Sequence, residues 1–404
     1  MKSRVVLAIL ALLLAAGSAG CALSPNINVA YNVAYLWTRE FMGFPVEPPL
    51  EKPKLDNPAR YIGDGKCVFC HAANYYVIEL TTKHVLAFEL LVERKESKNK
   101  ECLPCHTVGY DKKRENNGFD DSHDSRELQG VQCENCHGPG SNHVRGLKRV
   151  KIYLSEETCK CHTGSHHPTV DEWRSSKHAN SMNDLKQSSQ AAPECLKCMS
   201  TEGVIGRKVN LKNAVYAITC VACHNPHKNV NSVQLRMTPQ DLCISCHTAG
   251  ELKVGQPVHH PQKEMMAATG GLGGVVSARG HNTGIRQGCV ECHYYTRPFK
   301  SESEPAITGH DFKAHVETCS SCHPNGNDLK VSTQAAIKSA LDRLKSQLDA
   351  IDGTKLEGAQ KRFYDEAKFN YEFVANDRSL GVHNKVYAES LIKVAQERLG
   401  QVQK

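Results

Sequence analysis

Apolar residues are spread unevenly along the chain. One nearly unbroken run, Val5 to Ala16, follows Lys2 and Arg4 and precedes the small residues Gly17-Ser18-Ala19-Gly20 and then Cys21. It falls short of the ~20 residues needed to cross a bilayer, and its flanks give residues 1–20 the form of an export signal. Near the other end, Ile337, Leu341, Leu344, Leu348 and Ile351 recur at helical intervals and predict a helix ending at Gly353. Phe363, Ala367, Tyr371 and Val374 predict a second helix, and Val386, Leu391, Ala395 and Leu399 a third, closed by Gly400. Residues 327–404 thus read as a helical C-terminal region. No alternating pattern longer than a few residues occurs, so the expected fold is mainly α with little sheet. Residues 21–60 contain six prolines, including Pro48-Pro49, and read as a tether.

Composition changes this picture. At 404 residues the chain is only 40% hydrophobic and 6% aromatic, too little to fill the interior of several domains with side chains alone. Eighteen of the 19 cysteines fall into nine close pairs, leaving Cys21 alone. Eight pairs have CxxC spacing: Cys67/Cys70, Cys102/Cys105, Cys133/Cys136, Cys195/Cys198, Cys220/Cys223, Cys243/Cys246, Cys289/Cys292 and Cys319/Cys322. Seven of the eight are followed at once by histidine: His71, His106, His137, His224, His247, His293 and His323. CxxCH is the attachment signature of c-type haem, in which two thioethers hold the porphyrin and the adjacent imidazole binds iron. Structural zinc and disulfides place no demand on the residue after the second cysteine, and iron–sulfur clusters need a run of four cysteines that is absent.

Two sites depart from the pattern. Cys159-Lys160-Cys161-His162 has one intervening residue instead of two, and Cys195-Leu196-Lys197-Cys198-Met199 has methionine in the histidine position. Attachment requires only the cysteines, so eight or nine haems are expected. At the second site the iron is bound either by the Met199 thioether or by a histidine from elsewhere. The remaining histidines are His84, His123, His143, His166, His167, His178, His227, His259, His260, His281, His310, His315 and His383. That supply meets the demand for distal ligands at nine irons and favours closed, bis-histidine centres; His84, His143, His178, His227, His281, His310, His315 and His383 are the candidates. Four sites fall in residues 61–168 and five in 169–326. Cys21, unpaired and behind a segment close to a lipobox, is the candidate for a lipid anchor to a membrane; signal cleavage without lipidation is the alternative.

The formal charge of +7 does not point to nucleic acid, because lysine and arginine form no long run and aromatic residues do not interleave with them. Haem propionates would make the loaded protein acidic, which suits redox proteins as transient partners better than acidic polymers.

The N-terminal half resembles the tetrahaem cytochrome c of ammonia oxidisers and its hydroxylamine-oxidoreductase relatives. The resemblance rests on Cys67-Val-Phe-Cys-His71, Thr82-Lys83-His84, Glu101 to Tyr110, Gly130 to His143, and Trp173, Ser176, His178 and Ala179. It implies distal ligation by His84, His143 and His178. From Cys195 onward, the order of five sites, His260-Pro261, His281, His310, His315 and the terminal helices resemble the pentahaem, ammonia-forming nitrite reductases. There His260 takes the place of the catalytic histidine, and a dimer through the terminal helices is implied. This chain has Met199 where that family has lysine, and Thr248-Ala249-Gly250 where it has a tyrosine. Nitrite reduction needs an open iron, positive charge and proton donors. Electron relay is therefore the first expectation, with reduction or oxidation of small nitrogen or sulfur species at Cys195/Cys198 the alternative.

Overall fold

The computed structural model describes residues 54–110, 115–123, 125–228, 231–275 and 280–403. The expected export signal, Cys21 and most of the tether lie outside them. The chain divides into two compact units, one formed by residues up to Cys159 together with Asn225–Gln234, the other by Lys160–His224 and Leu235 onward. The fold is mainly α. Isolated two-residue bridges such as Thr107 with Gln129 and Arg297 with Ile307 are the only sheet-like pairings among the described residues.

In the first unit the longest helix is α1 (Val68–Thr81), followed by pieces of one or two turns such as Ala87–Glu93, Leu103–His106 and Cys133–His137. Its apolar core is small: Leu91, Leu103, Val108, Phe119 and Leu128, with Tyr61, Phe88 and Tyr110 packed against them. Backbone closure does part of the work. Gly109 has φ +66°, and a Cβ there would meet the Tyr61 ring at 2.3 Å, so only glycine lets the loop lie on that ring. Glu134, buried between the cysteines of the third motif, accepts hydrogen bonds from the backbone N–H groups of Ile62 (3.0 Å), Gly63 (2.9 Å) and Gly140 (2.6 Å). One carboxylate thus gathers three loop donors that would otherwise be left without partners.

The second unit ends in three long helices, α2 (Gly326–Asp349), α3 (Gly358–Asp377) and α4 (Lys385–Val402). Ile337, Leu341, Leu344 and Leu348 of α2 are buried against Ala367, Phe373 and Val374 of α3 and Leu391, Ala395 and Leu399 of α4, as the periodicity predicts. Boundaries differ from the pattern. Helix α2 stops at Asp349, and Gly353 instead passes so close to Tyr364 that a Cβ would lie 2.4 Å from its ring. Helix α4 continues through Gly400 because Val402 is buried and holds the last turn in place. Val386 is exposed; the Asn384 side chain caps α4 by accepting from the N–H of Tyr387, which turns Tyr387 and Ala388 inward.

Polar side chains bolt the preceding loop to this bundle. Asn370, fully buried, accepts from the N–H of Leu272 and donates to its carbonyl, both at 2.9 Å. The Tyr387 hydroxyl accepts from Gly271 N–H at 2.9 Å, and Asn376 donates to Val258 O at 2.7 Å. Asn370→Ala leaves two buried backbone groups unpaired at about 1–3 kcal/mol each. Its thermal unfolding, followed by far-UV circular dichroism on the cofactor-loaded protein, is expected several degrees lower than wild type; an unchanged midpoint contradicts the role.

Candidate haem centres

Each regular motif is built on a single helical turn. In the first, the N–H of His71 donates to Cys67 O at 2.9 Å; His224 to Cys220 O (2.8 Å), His247 to Cys243 O (3.0 Å), His293 to Cys289 O (3.0 Å) and His323 to Cys319 O (2.9 Å) repeat the arrangement. Residues three and four apart share a helix face, so both sulfurs and the imidazole point the same way. The fourth motif cannot do this. Its cysteines are two apart, which separates them around a helix, and the 3-10 turn Glu156–Cys159 ends at the first of them, leaving Cys161 in a turn. It also lies at the boundary between the two units, Cys159 in one and Cys161 and His162 in the other.

Cys70 and Cys105 are the second cysteines of the first two motifs. Both sit on the expected turn, the N–H of Cys70 donating to Cys67 O and that of Cys105 to Cys102 O, each at 3.2 Å. Their surroundings differ from the pattern. Cys70, like Cys322, is exposed, because α1 buries none of its residues and leaves helical angles at the adjoining His71 (φ −123°, ψ 37°). Cys105 is half-buried beside the fully buried Leu103, but no histidine ring faces its neighbour His106 among the described residues.

The other motif histidines face histidines at a recurring distance. Ring centroids are 6.2 Å apart for His71–His143, 5.9 Å for His137–His227, 6.3 Å for His224–His310, 6.2 Å for His247–His178, 6.2 Å for His293–His383 and 6.3 Å for His323–His281. Direct stacking would bring rings closer. A first-row metal–imidazole bond of about 2 Å, with about 1.2 Å more to the ring centre, puts two imidazoles on opposite sides of one iron about 6 Å apart. The residues therefore fit a six-coordinate haem at six motifs. His162 has His167 at 6.3 Å, five residues along the chain, a neighbour the sequence reading did not select.

Ring orientation is set by backbone. The Nδ1–H of His106 donates to Ala87 O (2.6 Å), of His137 to Lys151 O (2.9 Å), of His281 to Val382 O (2.7 Å), of His293 to Phe312 O (2.8 Å) and of His310 to Thr308 O (2.9 Å). Each bond fixes the tautomer and leaves Nε2 for a metal. His310 is further placed by Glu172, which accepts from the N–H of Thr308 and of His310, both at 2.8 Å. Burial pushes His178 down to about 4, with a smaller contribution from His247, so it is neutral and able to coordinate.

Cysteines of different motifs also lie near one another. Cys67 stands beside Cys133, bringing the first and third motifs together. In the second unit Cys198 stands beside Cys246 and Cys243 beside Cys289, so the seventh motif adjoins the fifth through one cysteine and the eighth through the other. Cys223 lies within electrostatic range of Cys246, and Cys292 of Cys319 and Cys322. The seventh motif is the junction of this unit.

Other expected site residues stand differently. Met199 packs with the apolar group of Met182, Leu185, Leu196 and Ala214, its carbonyl accepting from Ser181 Oγ at 2.8 Å. His315 places Nε2 3.2 Å from Asp311 and its ring 5.2 Å from Tyr295, with no motif histidine opposite it among the described residues. His260, at φ +50°, sits 6.0 Å from His247 and 4.4 Å from His259. His84 is half-buried and its pKa is lowered by burial; its carbonyl accepts from Val131 N–H. Beside the first motif lies a cavity of about 560 Å³ bordered by Asp64, Lys66, Phe69, Tyr75, Glu79, Arg126 and Glu127. Glu79 is pushed up to about 7, by burial first and then by its hydrogen bond to Asp64.

Comparison with known proteins agrees with the motif geometry. A family model described as cytochrome c554 and c-prime matches residues 66–138, and one described as a doubled CXXCH motif matches residues 213–251. Multiheme cytochrome MtrA of Shewanella baltica is 27% identical over 171 residues, 36% of this chain and 51% of that protein. Cytochrome c-554 of Nitrosomonas europaea is 33% identical over 117 residues, 25% of this chain and 48% of that protein. The chain spans about half the length of these curated relatives. Outer cell wall cytochrome OcwA superposes with a TM-score of 0.59 at 27% identity, covering 67% of this chain and 70% of that one. The undecaheme cytochrome from the S-layer of Carboxydothermus ferrireducens does so with a TM-score of 0.59 at 21% identity, covering 86% and 70%. These similarities, with the cysteine motifs, are those of multihaem c-type cytochromes, and haem c is the cofactor they support.

The Asp64–Glu79 pair generates a pH prediction. Glu79 has a folded-state pKa of about 7 against an ordinary 4.5, so its protonated form favours the fold. That contribution is complete below about pH 4.5 and is lost as the pH rises through about 7. Wild type is expected to lose more thermal stability between about pH 5 and pH 8 than Glu79→Gln; equal losses contradict the shared proton.

Proposed function

We propose that this protein is an exported electron relay that passes electrons between redox proteins through eight or nine covalently bound haems. The observation that carries the reading is the set of six histidine pairs at 5.9–6.3 Å, each including the histidine of a cysteine motif. In this reading the paired cysteines, Cys70 and Cys105 included, supply the thioethers. His71/His143, His137/His227, His224/His310, His247/His178, His293/His383 and His323/His281 hold six irons on both sides. Bound haem supplies a one-electron couple at each iron. Imidazoles on both faces exclude substrate from those irons and keep the coordination the same in both oxidation states, which suits transfer rather than catalysis. The contacts of Cys67 with Cys133, Cys198 with Cys246 and Cys243 with Cys289 bring neighbouring centres close, and tunnelling falls steeply with distance.

The motifs at Cys102/Cys105 and Cys195/Cys198 lack such a histidine pair among the described residues. Reduction of a small nitrogen or sulfur species at Cys195/Cys198 is the second reading. It draws on His260, which lies within electrostatic range of Arg378, a positive group of the kind an anion requires. Met199 in its apolar group offers that chemistry no proton donor. Electron relay is therefore preferred. A protein that turns over nitrite or hydroxylamine at about 10 per second or faster, a median enzyme rate, reverses the preference.

Two further experiments test the reading. Intact mass of the exported protein is expected to exceed the polypeptide by eight or nine haems; six or fewer refutes it. Cys21, the sole unpaired cysteine, is assigned the lipid, and one diacylglycerol supplies the two chains that stable anchoring needs. Cys21→Ala is expected to move the protein from the membrane to the soluble fraction; unchanged partition and mass refute the anchor.

A further inference from the structure

We propose that Asp377 is a positioning residue that gives the centre at Cys289/Cys292 a more negative potential than its bis-histidine neighbours, by holding His383 with a full negative charge. The proposal rests on the reading that His293 and His383 share one iron. Of the candidate ligands whose Nδ1 contact is seen, His137, His281, His293 and His310 donate to backbone carbonyls, whereas His383 donates to the Asp377 carboxylate at 2.6 Å. Such charge-assisted bonds are roughly twice as strong as neutral ones. A carboxylate behind a ligating imidazole raises its basicity. The more basic imidazole donates more electron density to iron and favours the ferric form.

The surrounding chain is shaped to hold this carboxylate. Asp377 is the last residue of α3 and is 2% exposed. Arg378 and Leu380 adopt φ +62° and +52°, turning the chain back over the helix end. Ser379 then donates its backbone N–H and hydroxyl to Oδ2 of Asp377, leaving Oδ1 for His383. The N–H of His383 donates to Ser379 Oγ at 3.1 Å, which closes the loop. Two left-handed non-glycine residues are a conformational cost, and here they bring Ser379 and His383 onto one buried carboxylate.

The test is spectroelectrochemical titration of the haem-loaded protein, with low-spin and high-spin haem counted by electron paramagnetic resonance. Asp377→Asn keeps the shape and removes the charge. One haem is expected to become at least tenfold easier to reduce, about 59 mV for one electron, with haem and low-spin counts unchanged. Asp377→Glu is expected to restore most of the shift, and Ser379→Ala, which loosens the loop but spares the Oδ1 bond, to leave the potentials near wild type. Unchanged potentials in Asp377→Asn, or an equal shift in Ser379→Ala, overturn the inference. His383→Ala separates the two levels: it is expected to create one high-spin haem that binds carbon monoxide. If it does so while Asp377→Asn shifts nothing, only the tuning role fails; if it does not, the shared iron itself is refuted.

Discussion

The rest of this structure depends on one spacing, about 6 Å between the imidazole of a cysteine motif and a second imidazole far away in sequence. Short helical turns supply the first ring of each pair at fixed geometry. The second ring is delivered by loops and helix ends, so the surrounding polypeptide must hold those loops to within a few tenths of an ångström. It does so with hydrogen bonds rather than apolar bulk. Backbone carbonyls grip Nδ1 of the rings, and the carboxylates of Glu134, Glu172 and Glu202 collect loop N–H groups around the centres.

The two units show how little side-chain core such a fold needs. In the first, one cluster of five buried apolar residues serves a segment that carries three complete motifs. In the second, helices α2, α3 and α4 build an ordinary amphipathic bundle, and its role is anchorage. Asn370, Asn376 and Tyr387 reach from it to residues 258–272, which follow the seventh motif, and α3 ends at the carboxylate behind His383. A conventional core thus serves as the abutment for loops that have none.

The arrangement of the centres carries its own meaning. The seventh motif lies beside the fifth at Cys246 and beside the eighth at Cys243, so in the proposed relay its two sulfurs would face two different neighbours. Branching at one centre would make its potential a control point of that relay. A neighbour held more negative, as inferred for the eighth, would bias which route is filled first.

What the sequence determined is local. Eight CxxC pairs, seven with the histidine that follows, were legible because one helical turn suffices to align residues three and four apart. Their surroundings were not: the same motif leaves Cys70 exposed on α1 and Cys105 half-buried, since exposure depends on what packs against the turn. The helical C-terminus was legible because amphipathic spacing survives without knowledge of partners, although the boundary at Val386 was not, since the Asn384 cap decides which residues of the first turn face inward. Distal partners were only partly legible. His143, His178, His227, His281, His310 and His383 were among the candidates and stand opposite motif histidines, whereas His315, equal to them as a sequence feature, turns to Asp311 four residues earlier. Nor could spacing indicate that Asn225–Gln234 joins the first unit and presents His227 to His137. A distal ligand is a long-range contact, fixed by how loops close and not by the residues beside it. Only the tertiary structure could choose among chemically identical imidazoles.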